Sequence, residues 1–176
     1  MVNRCKLKGL IISVNSSPLN PFHPAVLWGS VFGIGFAPRA PGTFGSLAAL
    51  LIWWFFLSHL LWQVQIGIVG LYFFASWWSA AAISRIYNTQ DAQQIVSDEV
   101  AGMWLALIWV PRLWFLGIII FVLFRLLDIL KPGPIGWLDR NVHGGLGVML
   151  DDLLAGAVLA AAVLVASLLG LFEIFV

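Results

Sequence analysis

Charge is scarce in this chain: 10% of its 176 residues are Asp, Glu, Lys or Arg, against about a quarter in a soluble domain. With 61% hydrophobic residues, ten Trp and a mean hydropathy of +0.99, the composition excludes a water-soluble globule and belongs in lipid. A net charge of +1 leaves no basic footprint for a nucleic-acid partner. Cysteine is nearly absent. The lone Cys5 excludes an internal disulfide and a cysteine-based zinc site. No Arg stands at the spacing that a cysteine-phosphatase loop needs, so Cys5 reads as a buried or inert thiol. Histidine is sparse too, and His23 and His59 lie far from every acidic motif, which disfavours zinc. A secretory cleavage signal is also missing. Arg4, Lys6 and Lys8 precede only a short apolar stretch, Leu10 to Val14, and Asn15-Ser16-Ser17-Pro18 follows without a small-x-small site. Residues 1–25 are expected to be a retained cytoplasmic arm, ahead of one membrane-embedded domain at 26–176.

What the chain has instead is long apolar runs. Leu47 to Leu61 and Ile66 to Ile83 are separated by Trp62-Gln63-Val64-Gln65, and each is near the lower limit of about 17 residues for a spanning helix. They predict a helical hairpin turning at that polar break, with Trp residues serving as interfacial anchors or as packing. Leu153 to Val176 is long enough to span alone. Residues 100–127 fit either one span kinked at Pro111 or two short helices turning at Pro111-Arg112. A single span would leave Arg112 near the bilayer centre at a cost of about 2.5 kcal/mol or more. The hairpin is preferred, because it also brings Asp98-Glu99 level with Arg125 and Asp128. The fold expected is all-α: a polytopic membrane bundle of about five apolar helices, with a Gly-rich re-entrant or interfacial segment before the first. In that topology only Arg112 among the basic residues lies opposite the rest, and the positive-inside rule makes the crowded side cytoplasmic.

The few carboxylates are concentrated. They form Asp98-Glu99, Arg125-x-x-Asp128-x-x-Lys131 and Asp151-Asp152, with Asp91 and Asp139 just outside, and each motif ends an apolar run. Charge near bilayer depth is costly, so such groups are functional candidates. Grouped carboxylates beside Arg and Lys suggest a divalent cation held against a phosphate. Asp98-Glu99 opens a helix, where acidic groups are also favoured by the dipole alone. Two adjacent carboxylates point about 100° apart on a helix, so they need not share one ligand. Arg125 and Asp128, three apart, share a helical face that Lys131 continues. A simple ion pair is the alternative there. The segment Gly33 to Ser46 contains Gly33, Gly35, Gly42 and Gly45 with Arg39, Thr43 and Ser46. Its glycines would let backbone amides approach an anion at a helix start, with Thr43 suited to the N-cap. A Gly-rich turn or close helix packing fits equally. It is no Walker loop, because the Gly-Lys-Ser/Thr ending is absent. Hard oxygen ligands from several helices describe a Mg²⁺ site, with His143 as a phosphate or proton partner or merely a loop residue.

At these residues a resemblance emerges. Gly-x-Gly-x-x-Pro-x-x-Pro-Gly-Thr-x-Gly-Ser (33–46), Ile-Val-x-Asp-Glu (95–99), Phe-Arg-x-x-Asp-x-x-Lys-Pro-x-Pro-Ile (124–135) and Asp-Arg-Asn-Val-His-Gly-Gly-x-Gly-x-Met-x-Asp-Asp (139–152) resemble the phosphatidylglycerophosphatase A family. The likeness runs in family order over about residues 26 to 172. Ser97 and Gly133 stand where members usually carry Trp, and Gly136 where a basic residue is frequent; the carboxylates are intact. The resemblance implies a Mg²⁺-dependent lipid phosphatase of the bacterial inner membrane, active at the cytoplasmic face, converting phosphatidylglycerophosphate to phosphatidylglycerol. The expected partner is a phospholipid substrate in the membrane; neither nucleic acid nor a protein partner is indicated. On that reading Glu99, Asp128, Asp151 and Asp152 hold Mg²⁺, Arg125 and Lys131 neutralise the phosphate, and Asp98 is the general base or a further ligand. His143 protonates the leaving alkoxide, and the Gly33–Ser46 loop (Gly33, Gly35, Arg39, Gly42, Thr43, Ser46) cradles the phosphate. Water is the expected nucleophile. Two rivals stand beside it. A lipid phosphotransferase is opposed by the absence of an Asp-Gly-x-x-Ala-Arg signature. A cation transporter would need carboxylates at several membrane depths.

Overall fold

The computed structural model describes residues 19–88, 92–142 and 144–172, together with the backbone of 6–7 and 10–11. Lys6–Leu7 (β1) and Leu10–Ile11 (β2) pair as a minimal antiparallel ladder. All other regular structure among the described residues is helical. The α-helices are α1 (Pro24–Gly29), α2 (Pro41–Phe55), α3 (Trp62–Tyr87), α4 (Ser97–Leu107), α5 (Trp114–Leu130), α6 (Pro134–Asn141) and α7 (Gly145–Leu168). Single 3₁₀ turns at Ile34–Phe36 and Leu57–His59 join them. Three stretches, Pro41–His59, Trp62–Tyr87 and Gly145–Leu168, are long and apolar enough to cross a membrane.

Helix α4 is the axis of the bundle. Val100, Ala101, Met103, Trp104, Ala106 and Leu107 are all buried, as a helix that is apolar all round must be. It packs most extensively on α7, then on α2, with α3 and α5 closing the ring. The α4–α7 contact is a crossing of glycines. A Cβ on Gly102 would lie 2.5 Å from the Asp152 carbonyl oxygen, and one on Gly156 would overlap the Gly102 carbonyl. Without side chains at these points the two backbones meet directly, as small residues permit in membrane bundles. Trp104 Nε1–H donates to the Ala49 carbonyl at 3.0 Å and ties α4 to α2. Large apolar side chains such as Phe55, Leu71, Phe74, Trp78 and Leu168 stay exposed on the outer surface, where lipid rather than water is their natural neighbour.

Residues 100–127 form two helices, not one kinked span. α4 ends at Leu107 and α5 begins at Trp114, and the return brings Arg125 back beside Glu99. Arg112 in the turn lies 3.3 Å from His59 Nδ1 and sits over the Trp54 ring. The turns at 56–61 and 108–113 therefore share one end of the bundle, opposite the acidic motifs.

Three expected boundaries move. Trp62-Gln63-Val64-Gln65 is no turn but the first turn of α3. The break lies upstream at residues 56–61, because the buried Gln65 amide points inward. It accepts from Trp53 Nε1–H at 3.2 Å and donates to the Leu60 carbonyl at 3.0 Å, replacing water. The second half of the Gly-rich segment is likewise helical, since α2 starts at Pro41 and not near Leu47. Pro41 presets φ at the first helical position, and Ala40 (φ 48°) makes the cap. Thr43 is therefore not the N-cap; it lies inside the first turn, its N–H donating to the Ala40 carbonyl at 3.0 Å. Finally, α7 starts at Gly145, so Asp151 and Asp152 lie within the helix and not before it.

Candidate active site

The acidic motifs converge on one cavity of about 810 Å³ at the end of the bundle away from Arg112. Asp98, Glu99, Arg125, Asp128, Lys131, Asp139, Asp151 and Asp152 line its charged side, and Phe36, Ala37, Pro38, Ala40 and Pro41 its apolar side. Each side chain arrives by a local rule. Asp98 and Glu99 occupy the first turn of α4, where the Glu99 N–H donates to Asp98 Oδ1 at 3.0 Å. Arg125 and Asp128 share a face of α5 and pair at 2.7 Å. Lys131 follows in the left-handed C-cap (φ 43°) and pairs with Asp139 of α6. Asp151 and Asp152 stand about 9 Å into α7 at 1.5 Å per residue, held against α4 by the glycine crossing.

The carboxylates sort into two sets, joined by a side-chain hydrogen bond between Asp128 and Asp152. Asp98, Glu99 and Asp152 each place an oxygen so that all three lie within 4.8 Å of one another. Three anions this close, with Asp98 and Asp152 buried, repel unless a cation or protons compensate. Glu99 Oε2 and Asp152 Oδ1 are buried with no hydrogen-bond partner among the described residues, as is Asp151 Oδ1. Orphaned, converging, hard oxygen atoms are the donor set of a divalent cation such as Mg²⁺ or Ca²⁺. The other set is already paired. Arg125 holds Asp128, while Lys131 Nζ lies 2.5 Å from Asp139 Oδ1 and 2.6 Å from Asp151 Oδ2. Partial burial alone would lower the Lys131 pKa, but Asp139 and Asp151 outweigh it and hold the ammonium above the ordinary lysine value. Lys131 is thus stabilised as a cation by the two carboxylates it contacts. Arg125 reaches Glu99 only at 3.7 Å and donates to Ser46 Oγ at 3.3 Å, and its Nε is buried without a partner among the described residues. Arg125 lines the cavity, where an anion would meet its guanidinium.

The other sequence candidates separate. Gly35 and Gly42 line the cavity; Gly33, Arg39, Thr43 and Ser46 are not among its lining residues. A Cβ on Gly42 would overlap the Glu99 carboxylate and lie 3.1 Å from Arg125 Nη1, so Gly42 makes room for the acid–arginine contact. Ser46 is fully buried, donates to the Gly42 carbonyl at 2.9 Å and supports Arg125 from behind. His143 and Asp91 lie outside the described residues, although Val142 and Gly144 both line the cavity. Sequence reasoning left Asp139 without a role, missed the cavity-lining Gln93 and Gln94, and missed the Gly102–Gly156 crossing. The last had a signal, because Gly102/Ala106 on α4 and Gly156/Ala160 on α7 are small pairs four residues apart. Carboxylates at one end, not staggered through the bundle, do not form an ion path.

Comparison with known proteins agrees with this picture. A family model described as Phosphatidylglycerophosphatase A matches residues 27–167. The chain is 41% identical to phosphatidylglycerophosphatase A of Escherichia coli (strain K12) over 142 residues, 80% of each chain. It is 36% identical to the Haemophilus influenzae protein of the same name over 140 residues, 79% of this chain and 84% of that one. A Bacteroides thetaiotaomicron protein, named provisionally as a phosphatidylinositol-3-phosphatase, is 42% identical over 139 residues, 74% of this chain and 86% of that one. No solved structure matches the chain.

Proposed function

The chain belongs to the phosphatidylglycerophosphatase A family and hydrolyses phosphatidylglycerophosphate to phosphatidylglycerol and phosphate, and we propose that it does so with a Mg²⁺ ion held by Asp98, Glu99 and Asp152. One observation carries the proposal: the Asp98, Glu99 and Asp152 carboxylates, the last two with an unpartnered oxygen each among the described residues, converge within 4.8 Å on the wall of a cavity that also holds Arg125 and Lys131. This ligand set differs from the expected one. Asp98 replaces Asp128 and Asp151, because Asp128 and Asp151 already neutralise Arg125 and Lys131.

When bound, the cation would polarise the phosphoryl oxygens and lower the pKa of a coordinated water. The chain's own residues supply the rest. Arg125, steadied by Ser46 and Asp128, offers its unpaired Nε–H to a phosphate oxygen, and Lys131 adds a fixed positive charge. Water attacks phosphorus, the bond from phosphorus to the glycerol oxygen breaks, and a proton reaches the leaving alkoxide. His143 is the proposed donor, supported by its neighbours Val142 and Gly144 on the cavity wall. Phe36 and Pro38 on the apolar side would face the glycerol and the start of the acyl chains.

We further read the molecule as a polytopic bundle in which the α4–α5 hairpin enters the membrane beside the three long helices, with the Gly33–Ala40 segment at the interface. At 11 residues α4 is about 16 Å long, half the hydrocarbon thickness of about 30 Å, so the catalytic cavity is recessed below the surface. Arg85, Arg125, Lys131 and Arg140 belong to the cavity end and Arg112 to the other, which supports a cytoplasmic active site in the bacterial inner membrane. The test is phosphate release from phosphatidylglycerophosphate in detergent micelles by purified protein. Activity should vanish with chelator and return with Mg²⁺; unchanged activity after exhaustive chelation would refute the metal assignment.

A further inference from the structure

We propose that this site takes a single divalent cation and that the Lys131 ammonium occupies the place of a second. The inference rests on the metal reading above and goes beyond it by assigning a count and a surrogate. Paired-metal phosphatase sites clamp the phosphate between two cations about 3.5–4 Å apart. Here the acidic residues would suffice for two, yet they are divided unevenly. Asp98, Glu99 and Asp152 converge, and Glu99 Oε2 and Asp152 Oδ1 have no partner among the described residues. Asp139 and Asp151, from α6 and α7, instead converge on Lys131 Nζ at 2.5 and 2.6 Å. An ammonium between carboxylates of two helices does what a bridging cation would do.

Asp151 links the two halves. Its Oδ2 accepts from Lys131, while its Oδ1 is buried without a partner among the described residues, one residue from Asp152. The backbone makes the placement durable. Lys131 is held in the left-handed region directly after α5, and Gly136 of α6 packs without a Cβ against the Lys131 carbonyl. Neither contact involves the ammonium, so the side chain can be exchanged while its frame is kept.

The experiment counts ions without reference to turnover. Purified protein in detergent is titrated with Mn²⁺, with free Mn²⁺ followed by electron paramagnetic resonance and binding heat by calorimetry. The wild-type chain should bind one Mn²⁺. Lys131→Met exposes Asp139 and Asp151 and should bind two, the second at least tenfold more weakly. Lys131→Arg, which keeps a cation, should remain at one, and Lys131→Met combined with Asp139→Asn should return to one. Two ions in the wild type would overturn the proposal even if no variant folds. A folded Lys131→Met that still binds one would overturn it as well. No ion in the wild type would refute the metal reading itself, and this inference with it.

Discussion

Gly102→Ala is the sharpest perturbation of the architecture, because it adds one methyl group where two helices touch and no chemistry resides. The new Cβ would lie 2.5 Å from the Asp152 carbonyl oxygen, 2.9 Å from the Asp152 carbonyl carbon and 2.9 Å from a Phe124 ring atom. Ordinary contact begins at 3.4 Å, so α4 and α7 must separate by about 0.9 Å, and the obstacle is backbone that cannot rotate away. Asp152 would then move by that amount relative to Asp98 and Glu99 on α4. Misplacement of about 1 Å costs about 100-fold in rate, equivalent to about 2.7 kcal/mol in the barrier. Overpacking should cost a further ~1–3 kcal/mol of stability. Gly67→Ala is the matched control, since nothing lies within 4 Å of its Cβ; it should keep full activity and unfold no earlier. Phosphate release and thermal unfolding would be measured side by side in one detergent. Gly102→Ala with wild-type turnover would refute the claim that this crossing positions the carboxylates.

Arg125→Lys should lose about 10–100-fold in phosphate release although the charge is kept, because an ammonium cannot hold Asp128 and Ser46 while also offering a second edge to phosphate; wild-type turnover would reduce Arg125 to an ion-pair partner. Asp152→Asn should weaken Mn²⁺ binding at least tenfold, whereas Asp128→Asn, outside the converging set, should keep Mn²⁺ and lose turnover; equal metal loss in both would restore the four-carboxylate site expected from sequence. Cysteine labels at Gln63 and Arg112 should react only with periplasmic reagent, and labels at Gly133 and Arg140 only with cytoplasmic reagent. Labelling of Arg112 and Arg140 from the same side would overturn the orientation.

Much of this molecule was legible before any coordinates. A chain so poor in charge reads as helical in lipid, because helices and closed barrels alone satisfy their own backbone there and long continuous apolar runs are not the alternating pattern of barrel strands. The cost of burying charge made the surviving carboxylates, Arg125 and Lys131 stand out as a site. Pro111-Arg112 marked the turn between α4 and α5 for the same reason. Gln65 misled, because a polar residue reads as a loop until a buried partner such as Trp53 is known. The Gly-rich segment left two readings open, a phosphate loop or close packing, and Gly42 packs closely against Glu99 inside α2 while also lining the cavity. Composition and motif order pointed to a membrane protein of a lipid-phosphatase family with its acids gathered in a few motifs. Tertiary structure alone decided which acids are free and which are paired. Asp98, Glu99 and Asp152 come together only because α4 and α7 meet at Gly102 and Gly156, and Lys131 takes Asp139 and Asp151 only because α6 folds back over it. Such pairings depend on where helices cross, and a linear pattern of residue types carries no distance between helices.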